Sequence, residues 1–456
     1  MRDEPGDARG TCDRRRSLAA PELVDRSPLR SAGDGRRSIH QLSAARMVPA
    51  PLPGAGSAPR SSRRNRLRVA VVGAGAFGGW TALQLVRRGI EVVLVDAWGA
   101  GNSRSSSGGE TRVIRGIYGG DALYTDWVVR SFELWREAER EWDERLVHST
   151  GLLWMFRGDD GYARRSLPLL AERGLAVEEL AVEAAGRRFP QVDFDGVRSV
   201  FVESEGGFLA ARRSCRRTAG AVGALGGEVR IAHAEPGPVA DGEMAPLRLA
   251  GGSTLAADRY VFAGGPWLGR LFPEVLGPAI LPTRQEVCFF GPPPGEERFG
   301  DDRFPAWVDW GDRVVYGVPA TAGRGFKVAD DTRGEPVDPT TMERTLGEAA
   351  VARARRFLAE RFPPLAGAPL VEGRVCQYEN SPDGDLVLDR HPQAGNAWIA
   401  GGGSGHGFKL APAVGEHVAR LVLGETEPLP RFSIGRLAAA GKARRTQWEE
   451  PGAWRP

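Results

Sequence analysis

The stretch Leu67-Arg68-Val69-Ala70-Val71-Val72-Gly73-Ala74-Gly75-Ala76-Phe77-Gly78 decides the fold. An apolar run rich in valine reads as a buried strand, and the glycines after it end the strand in a tight turn. The spacing Gly73-x-Gly75-x-x-Gly78 predicts that turn, close approach of a pyrophosphate to the backbone, and tight packing of the next helix on the strand. The helix is expected through Ala82, Leu83, Leu85 and Val86, with Gly89 as its C′ residue and its N-terminus facing the phosphates. Glu91-Val92-Val93-Leu94-Val95-Asp96 reads as a second buried strand. Asp96, 18 residues after Gly78, ends that strand where it can bind a ribose hydroxyl. The register of these elements points to a dinucleotide, but it does not separate NAD from FAD. A nicotinamide-dependent dehydrogenase therefore stays open at this point.

Further along the chain, residues 122–145 read as an amphipathic helix carrying Trp127, Val128, Phe132, Leu134 and Trp135. Leu152–Phe156 reads as a strand, and residues 160–190 as helical up to Phe189-Pro190. Val229–Ala234 and Arg259–Ala263 are short apolar strands. Residues 283–330 alternate and hold Phe289, Phe290, Trp307, Trp310 and Tyr316, as an antiparallel sheet would. Residues 340–361 read as helical, Ala397–Ala400 as a strand, and Pro412–Leu423 as a last helix. The class expected is α/β, with a Rossmann-like cofactor domain interleaved with an antiparallel-sheet substrate domain of α+β character. The first domain is assigned 67–145, 205–282 and 370–435, and the second 146–204 and 283–369. They are flanked by a disordered leader over 1–66 and a tail over 436–456.

Composition narrows the function. The formal net charge of the 456 residues is +3, but residues 1–66 hold 14 Arg against 7 acidic residues, so the remainder is mildly acidic. That argues against a nucleic-acid partner. No apolar run reaches the ~18 residues of a membrane span. Arg36-Arg37 faintly resembles a twin-arginine export signal, but Arg46, Pro49, Pro51 and Pro53 spoil the apolar stretch behind it. A cytoplasmic protein is expected, with export as the alternative. Cys12, Cys215, Cys288 and Cys376 are widely spaced, which fits a reducing compartment without disulfides or a metal site. Lysine is nearly absent: Lys327, Lys409 and Lys442 stand against 58 arginines. Two of the three share one setting, Gly325-Phe326-Lys327 and Gly407-Phe408-Lys409. Lysine kept under such a bias points to a need for a compact ammonium, although two solvated loops would look the same.

Four further segments carry a resemblance. They are Asn102–Arg115; Tyr260-Val261-Phe262-Ala263-Gly264-Gly265-Pro266-Trp267; Gly373-Arg374-Val375-Cys376-Gln377-Tyr378 with Asp385–Pro392; and Gly401-Gly402-Gly403-Ser404-Gly405-His406-Gly407-Phe408-Lys409. In order and spacing the set resembles the monomeric sarcosine oxidase and N-methyltryptophan oxidase family of FAD-dependent amine oxidases, within the D-amino-acid-oxidase-like flavoproteins. The resemblance runs from about Leu67 to about Leu423. It implies a monomeric two-domain flavoenzyme that oxidises N-methylated or cyclic secondary amino acids to imines, with oxygen as acceptor and hydrogen peroxide released.

By that resemblance Cys376 carries FAD through a thioether. Arg115 and Lys409 hold a substrate carboxylate, Lys327 assists oxygen, and Arg112 lies against the flavin ring. Tyr316 and Tyr378 line the substrate cavity. Gly73, Gly75, Gly78, Asp96, Ser107, Thr111, Arg112, Gly403, Gly405, Gly407 and Lys409 contribute to cofactor binding, and the loop Gly401–Gly407 opens a helix whose dipole favours an anionic reduced ring. His406, between two glycines, reads as structural. Two positions depart from the family pattern, with Gly108 and Asp331 where histidines are expected. Asp330 and Asp331 read as solvent-facing, the alternative being an acidic pair that favours a substrate with a second positive charge. A flavin dehydrogenase with another electron acceptor and a non-catalytic flavin module remain as rivals.

Overall fold

The computed structural model describes residues 66–438. Leader residues 1–65, with the Arg36-Arg37 pair and Cys12, and most of the tail, with Lys442, lie outside them. Two large sheets organise the described chain. In the first, six strands run in the order Val387–Arg390, Ala397–Gly401, Arg259–Phe262, Arg68–Val72, Glu91–Asp96 and Glu228–Ile231. All neighbours are parallel except Val387–Arg390, which is antiparallel to Ala397–Gly401. The opening strand sits in the middle and is buried on both faces. Val69 and Val71 enter one core cluster, and Ala70 and Val72 the other. This is why the stretch reads as a continuous apolar run instead of an alternating one. Helix Ala76–Arg87 follows, and Gly89 stops it with φ +77°.

The second sheet has eight strands in the order Leu370–Asn380, Leu281–Phe290, Phe326–Asp330, Val314–Val318, Ala306–Trp310, Leu152–Phe156, Ser199–Glu203 and Val177–Leu180. It is antiparallel apart from one parallel pair, Leu152–Phe156 with Ala306–Trp310. Leu153 and Met155 face one core cluster, while Leu152, Trp154 and Phe156 face another. The fold class is therefore the expected one. No described helix is long and apolar enough to cross a membrane.

Two expected helices are shorter than their composition implied. Residues 160–190 divide into helix Gly161–Glu172, strand Val177–Leu180 and helix Val182–Arg188. Gly174, at φ +73°, ends the first helix and turns the chain to the sheet edge. Helix Glu348–Arg361 begins eight residues later than the expected start at 340, after Gly347 in an extended conformation. Residues 341–347 instead lie against Arg284, whose guanidinium donates to the Glu343 and Thr345 carbonyls.

Candidate active site

The fingerprint glycines are required by sterics. Gly73 has φ +103°, and a Cβ there would collide with the Ala263 carbonyl oxygen. A Cβ on Gly78 would collide with the Gly73 carbonyl oxygen. Turn and helix can therefore close on the strand only without side chains. Asp96 braces this turn: Oδ2 accepts from the Ala74 amide at 2.8 Å and Oδ1 from the Trp98 amide at 2.9 Å. Burial raises its pKa.

Beside the turn lies a groove of about 430 Å³, lined by Gly73, Gly75, Asp96, Ser107, Gly403 and Gly407 among others. A second cavity of about 310 Å³ is lined by Thr111, Arg112, Tyr316, Lys327, Cys376 and Tyr378. A narrow third gathers Arg115, Tyr316, His406 and Lys409. Arg112 and Gly405 line all three, so the cavities meet there. Gly78 packs beneath the turn and is absent from the groove lining.

Strand alternation builds the second cavity. Cys376 and Tyr378, two apart on Leu370–Asn380, share a face. The Cys376 thiol is half-buried between polar groups: Arg112 Nη2 lies 3.5 Å from Sγ, which lies 3.6 Å from the Ser106 carbonyl oxygen. Cys215, by contrast, is fully enclosed, and burial pushes its thiol up to about 11 although Ser107 and the Arg112 charge act the other way. Arg112 also donates to the Ser106 and Thr111 carbonyls, and its guanidinium lies 6.0 Å from the Phe408 ring centroid.

Lys327, on strand Phe326–Asp330, is 2% exposed, and Lys409, in the turn before helix Ala411–Leu423, is 4% exposed. The solvated-loop alternative for these lysines is therefore set aside. Lys327 Nζ donates to the Thr111 carbonyl at 3.3 Å and lies 5.1 Å from the Tyr316 ring centroid. Burial, with help from the Arg112 charge, lowers its pKa to about 7. Lys409 Nζ donates to the His406 carbonyl at 2.9 Å and stands 5.0 Å from the Tyr118 ring. Arg115 stands 4.2 Å from the same ring and donates to the Ile117 carbonyl. Burial, then the Arg115 charge, pulls the Lys409 pKa far below the ordinary lysine range.

Asp331 corrects a second expectation. Asp330 does face outward, in an ion pair with Arg313, whereas Asp331 is 0% exposed and accepts from Tyr378 Oη at 2.9 Å. Tyr378 and Tyr316 are hydroxyl to hydroxyl at 3.4 Å. Burial raises both phenols, Tyr316 to about 12. Asp331 continues the alternation that points Lys327 inward, and its amide still donates to the Val314 carbonyl at 2.9 Å. His406 is held at both ring nitrogens, by Tyr118 Oη at 3.2 Å and the Gly384 carbonyl at 2.9 Å.

The sequence reading missed Tyr118, on which both carboxylate-binding candidates converge, and Glu203. The buried Glu203 carboxyl accepts from the Gly116 amide at 2.5 Å and from Trp154 Nε1 at 2.7 Å, fixing the turn that carries Arg115. Nothing local in the sequence marks either residue. Buried polar atoms at the cavities, among them Ser106 Oγ, Thr111 Oγ1 and Glu379 Oε2, have no protein partner. Such atoms call for a ligand or water.

The family described as FAD dependent oxidoreductase matches residues 68–421. The monomeric sarcosine oxidase of Bacillus sp. (strain B-0618) is 32% identical over 390 residues, covering 83% of this chain and 98% of its own. The chain belongs to the sarcosine oxidase family of FAD-dependent oxidoreductases. The N-methyl-L-tryptophan oxidase of Salmonella arizonae is 27% identical, over 80% of this chain and 96% of its own. Among solved structures, L-proline dehydrogenase from P. horikoshii shares the fold with a TM-score of 0.71 at 20% identity, covering 83% of this chain and 99% of that one. As a member of the sarcosine oxidase family the chain is an FAD-dependent enzyme, and the nicotinamide reading falls away. The glycine turn, the Asp96 end of the groove and the orphaned polar atoms fit that cofactor.

Proposed function

We propose that this chain oxidises the C–N bond of a secondary α-amino acid, N-methylated or cyclic, with oxygen as acceptor and hydrogen peroxide as product. One observation carries the reading. Two cations, Arg115 and Lys409, are removed from water and brought to one ring, Tyr118, at the cavity that Arg112 connects to the groove. A small anion seated there would restore the solvation both have lost, and a carboxylate held by two cations is oriented as well as bound. Segments 67–145, 205–282 and 370–435 would hold FAD, through Gly73, Gly75, Asp96, Ser107, Thr111 and Gly403–Gly407, with Cys376 as the thioether carrier. Segments 146–204 and 283–369 would roof the substrate.

Bound FAD supplies a two-electron acceptor. The protein's part is placement and charge. Arg115 and Lys409 fix the carboxylate so that the α-carbon and the unprotonated amine lie toward Arg112, and the imine product hydrolyses in water. Tyr316 and Tyr378, kept neutral by burial, wall the cavity. Lys327 offers a compact positive charge where oxygen is reduced. Its burial beside Arg112 favours the oxidase over a dehydrogenase that passes electrons elsewhere. The protein would act as a monomer on small molecules.

The test is a spectrum after acid precipitation, paired with peroxide yield. Yellow colour kept in the pellet and lost in Cys376→Ala supports the thioether. One peroxide per secondary amino acid consumed supports the oxidase, and turnover only with an added electron acceptor refutes it.

A further inference from the structure

The groove also carries a carboxyl group that neither the fingerprint nor the family pattern assigns. Glu379 lies three residues beyond Cys376 on strand Leu370–Asn380, and it lines the glycine groove but not the two cavities that hold the lysines. It is 9% exposed. Oε1 accepts from the Gly403 amide at 3.2 Å, and Oε2 has no partner. The carboxyl is wedged between two glycine turns. A Cβ on Gly265 would stand 3.4 Å from Oε2, and one on Gly403 would stand 3.0 Å from Oε1. Gly265 belongs to the turn after Ala263, which packs on Gly73 and Gly78, while Gly403 leads to Gly405, where the three cavities meet. Glu379 thus stands between the phosphate turn and the ring end of the groove.

Among the described residues no cation compensates this group, and none makes an ion pair with it. The other ionisable residues that line the same groove are Asp96, Arg112, His233, Glu235, Arg270 and Tyr378, and no side chain among them is bonded to the Glu379 carboxyl. His406, on the adjoining loop, is engaged with Tyr118 and Gly384, and Tyr378, its chain neighbour, with Asp331. The strand beside it presents Pro282. Burial pushes the Glu379 pKa up to about 7, although the Gly403 amide acts in the opposite direction. The doubly negative diphosphate of FAD would push it in the same direction as burial.

We propose that Glu379 is a cofactor-positioning residue that stays protonated and donates a hydrogen bond from Oε2 to an oxygen on the chain linking the adenosine and flavin ends of FAD. The proposal rests on family membership and not on the Cys376 thioether. Its proton linkage has a definite sign. The neutral acid is the form that binds, and ionisation leaves a carboxylate facing an anionic cofactor. Retention of FAD is therefore greatest below about pH 7 and weakens as pH rises.

The experiment uses the full chain carrying Cys376→Ala, purified with FAD, and follows flavin fluorescence on dilution at pH 6 and pH 9. Release should be at least about tenfold faster at pH 9, where linkage allows up to about tenfold per pH unit. Glu379→Gln keeps a donor and an acceptor without a charge, so it should hold FAD and lose most of that pH dependence. Glu379→Leu should release FAD quickly at both pH values. If Glu379→Leu retains FAD like its parent, or Glu379→Gln keeps the full pH dependence, the proposal is overturned. Should the leucine variant not fold, as judged by thermal melting, the glutamine variant decides alone. The thioether is read separately, from the acid pellet of the unmutated enzyme.

Discussion

Gly325-Phe326-Lys327 and Gly407-Phe408-Lys409 are one tripeptide in two settings, and the settings separate what the two ammonium groups can do. On strand Phe326–Asp330, alternation sends Phe326 into the aromatic core, stacked on Trp307 at 5.6 Å, and Lys327 to the opposite face. In the turn before the last helix, Phe408 stacks on Trp135 at 6.2 Å, and the Lys409 carbonyl accepts from Trp135 Nε1 at 3.1 Å. Both lysines are stripped of water, but their charged neighbours differ. Lys327 feels mainly the Arg112 cation, opposed by the Cys376 thiol. Lys409 feels Arg115, opposed by Asp331 and Glu203. A field of two cations tempered by carboxylates suits a bound carboxylate with a neutral amine beside it, whereas a net positive one suits negative charge that appears during reaction. The tripeptide fixes burial, and the surrounding strands fix the use.

The comparison breaks most readily at Lys409. Lys409→Met removes one of two cations from the proposed carboxylate site. We expect kcat/KM to fall by about 100-fold or more, as for truncating one partner of a buried charge pair. Lys409→Arg should not restore it, because the fork does not fit where a compact ammonium donates to the His406 carbonyl. Steady-state kinetics on a secondary amino acid and on its decarboxylated amine checks the assignment. The loss should vanish for the amine, and equal loss on both would place Lys409 elsewhere.

Lys327 should give a smaller and differently placed effect. In Lys327→Met, rapid-mixing kinetics should show reoxidation by oxygen slowed by about 100-fold and reduction by substrate changed by less than about threefold. The pH dependence sharpens the test. Lys327 is charged below about pH 7 and neutral above it, so the oxygen rate constant of the unmutated enzyme should fall as pH rises through that titration, and Lys327→Met should be flat. The stability sign is opposite. A lysine whose pKa is depressed by folding is penalised while charged, fully so below its folded pKa, and the penalty fades as pH approaches the unfolded value near ~10.4. Lys327→Met should therefore melt no lower than the parent at neutral pH. A lower melting temperature together with equal slowing of both half-reactions would mark Lys327 as structural.

Legibility followed chain distance. The parallel sheet was readable because strand, glycine turn, helix and strand are contiguous, and each glycine answers a local collision, as Gly73 does with Ala263. The composition of residues 160–190 hid a strand, because Val177–Leu180 is a sheet edge with two outward glutamates that a helix would equally present. The site was readable residue by residue through the family pattern, but its contacts were not. Tyr118 matters because Arg115 and Lys409, 294 positions apart in the chain, both reach its ring. The inward turn of Asp331 follows from its even spacing to Lys327 on one strand, but the setting of Glu379 depends on glycines at 265 and 403, far from it in the chain.

Asp331 offers the finest division between the lysines, since its charge acts on Lys409 and is absent from the influences on Lys327. Asp331→Asn keeps an oxygen that can accept from Tyr378 Oη and removes only the charge. Asp331 raises the Lys409 pKa, so the variant lowers it further, and the ammonium is lost at a lower pH. The KM for the amino acid should therefore begin its rise at lower pH than in the parent, with kcat at low pH within about threefold and the oxygen rate constant unmoved. A shifted oxygen profile would show that the two ammonium groups share one field. An unchanged KM profile would leave Asp331 acting through the Tyr378 hydroxyl alone. In that case the carboxylate where the family pattern has a histidine sets the shape of the cavity wall and not its charge.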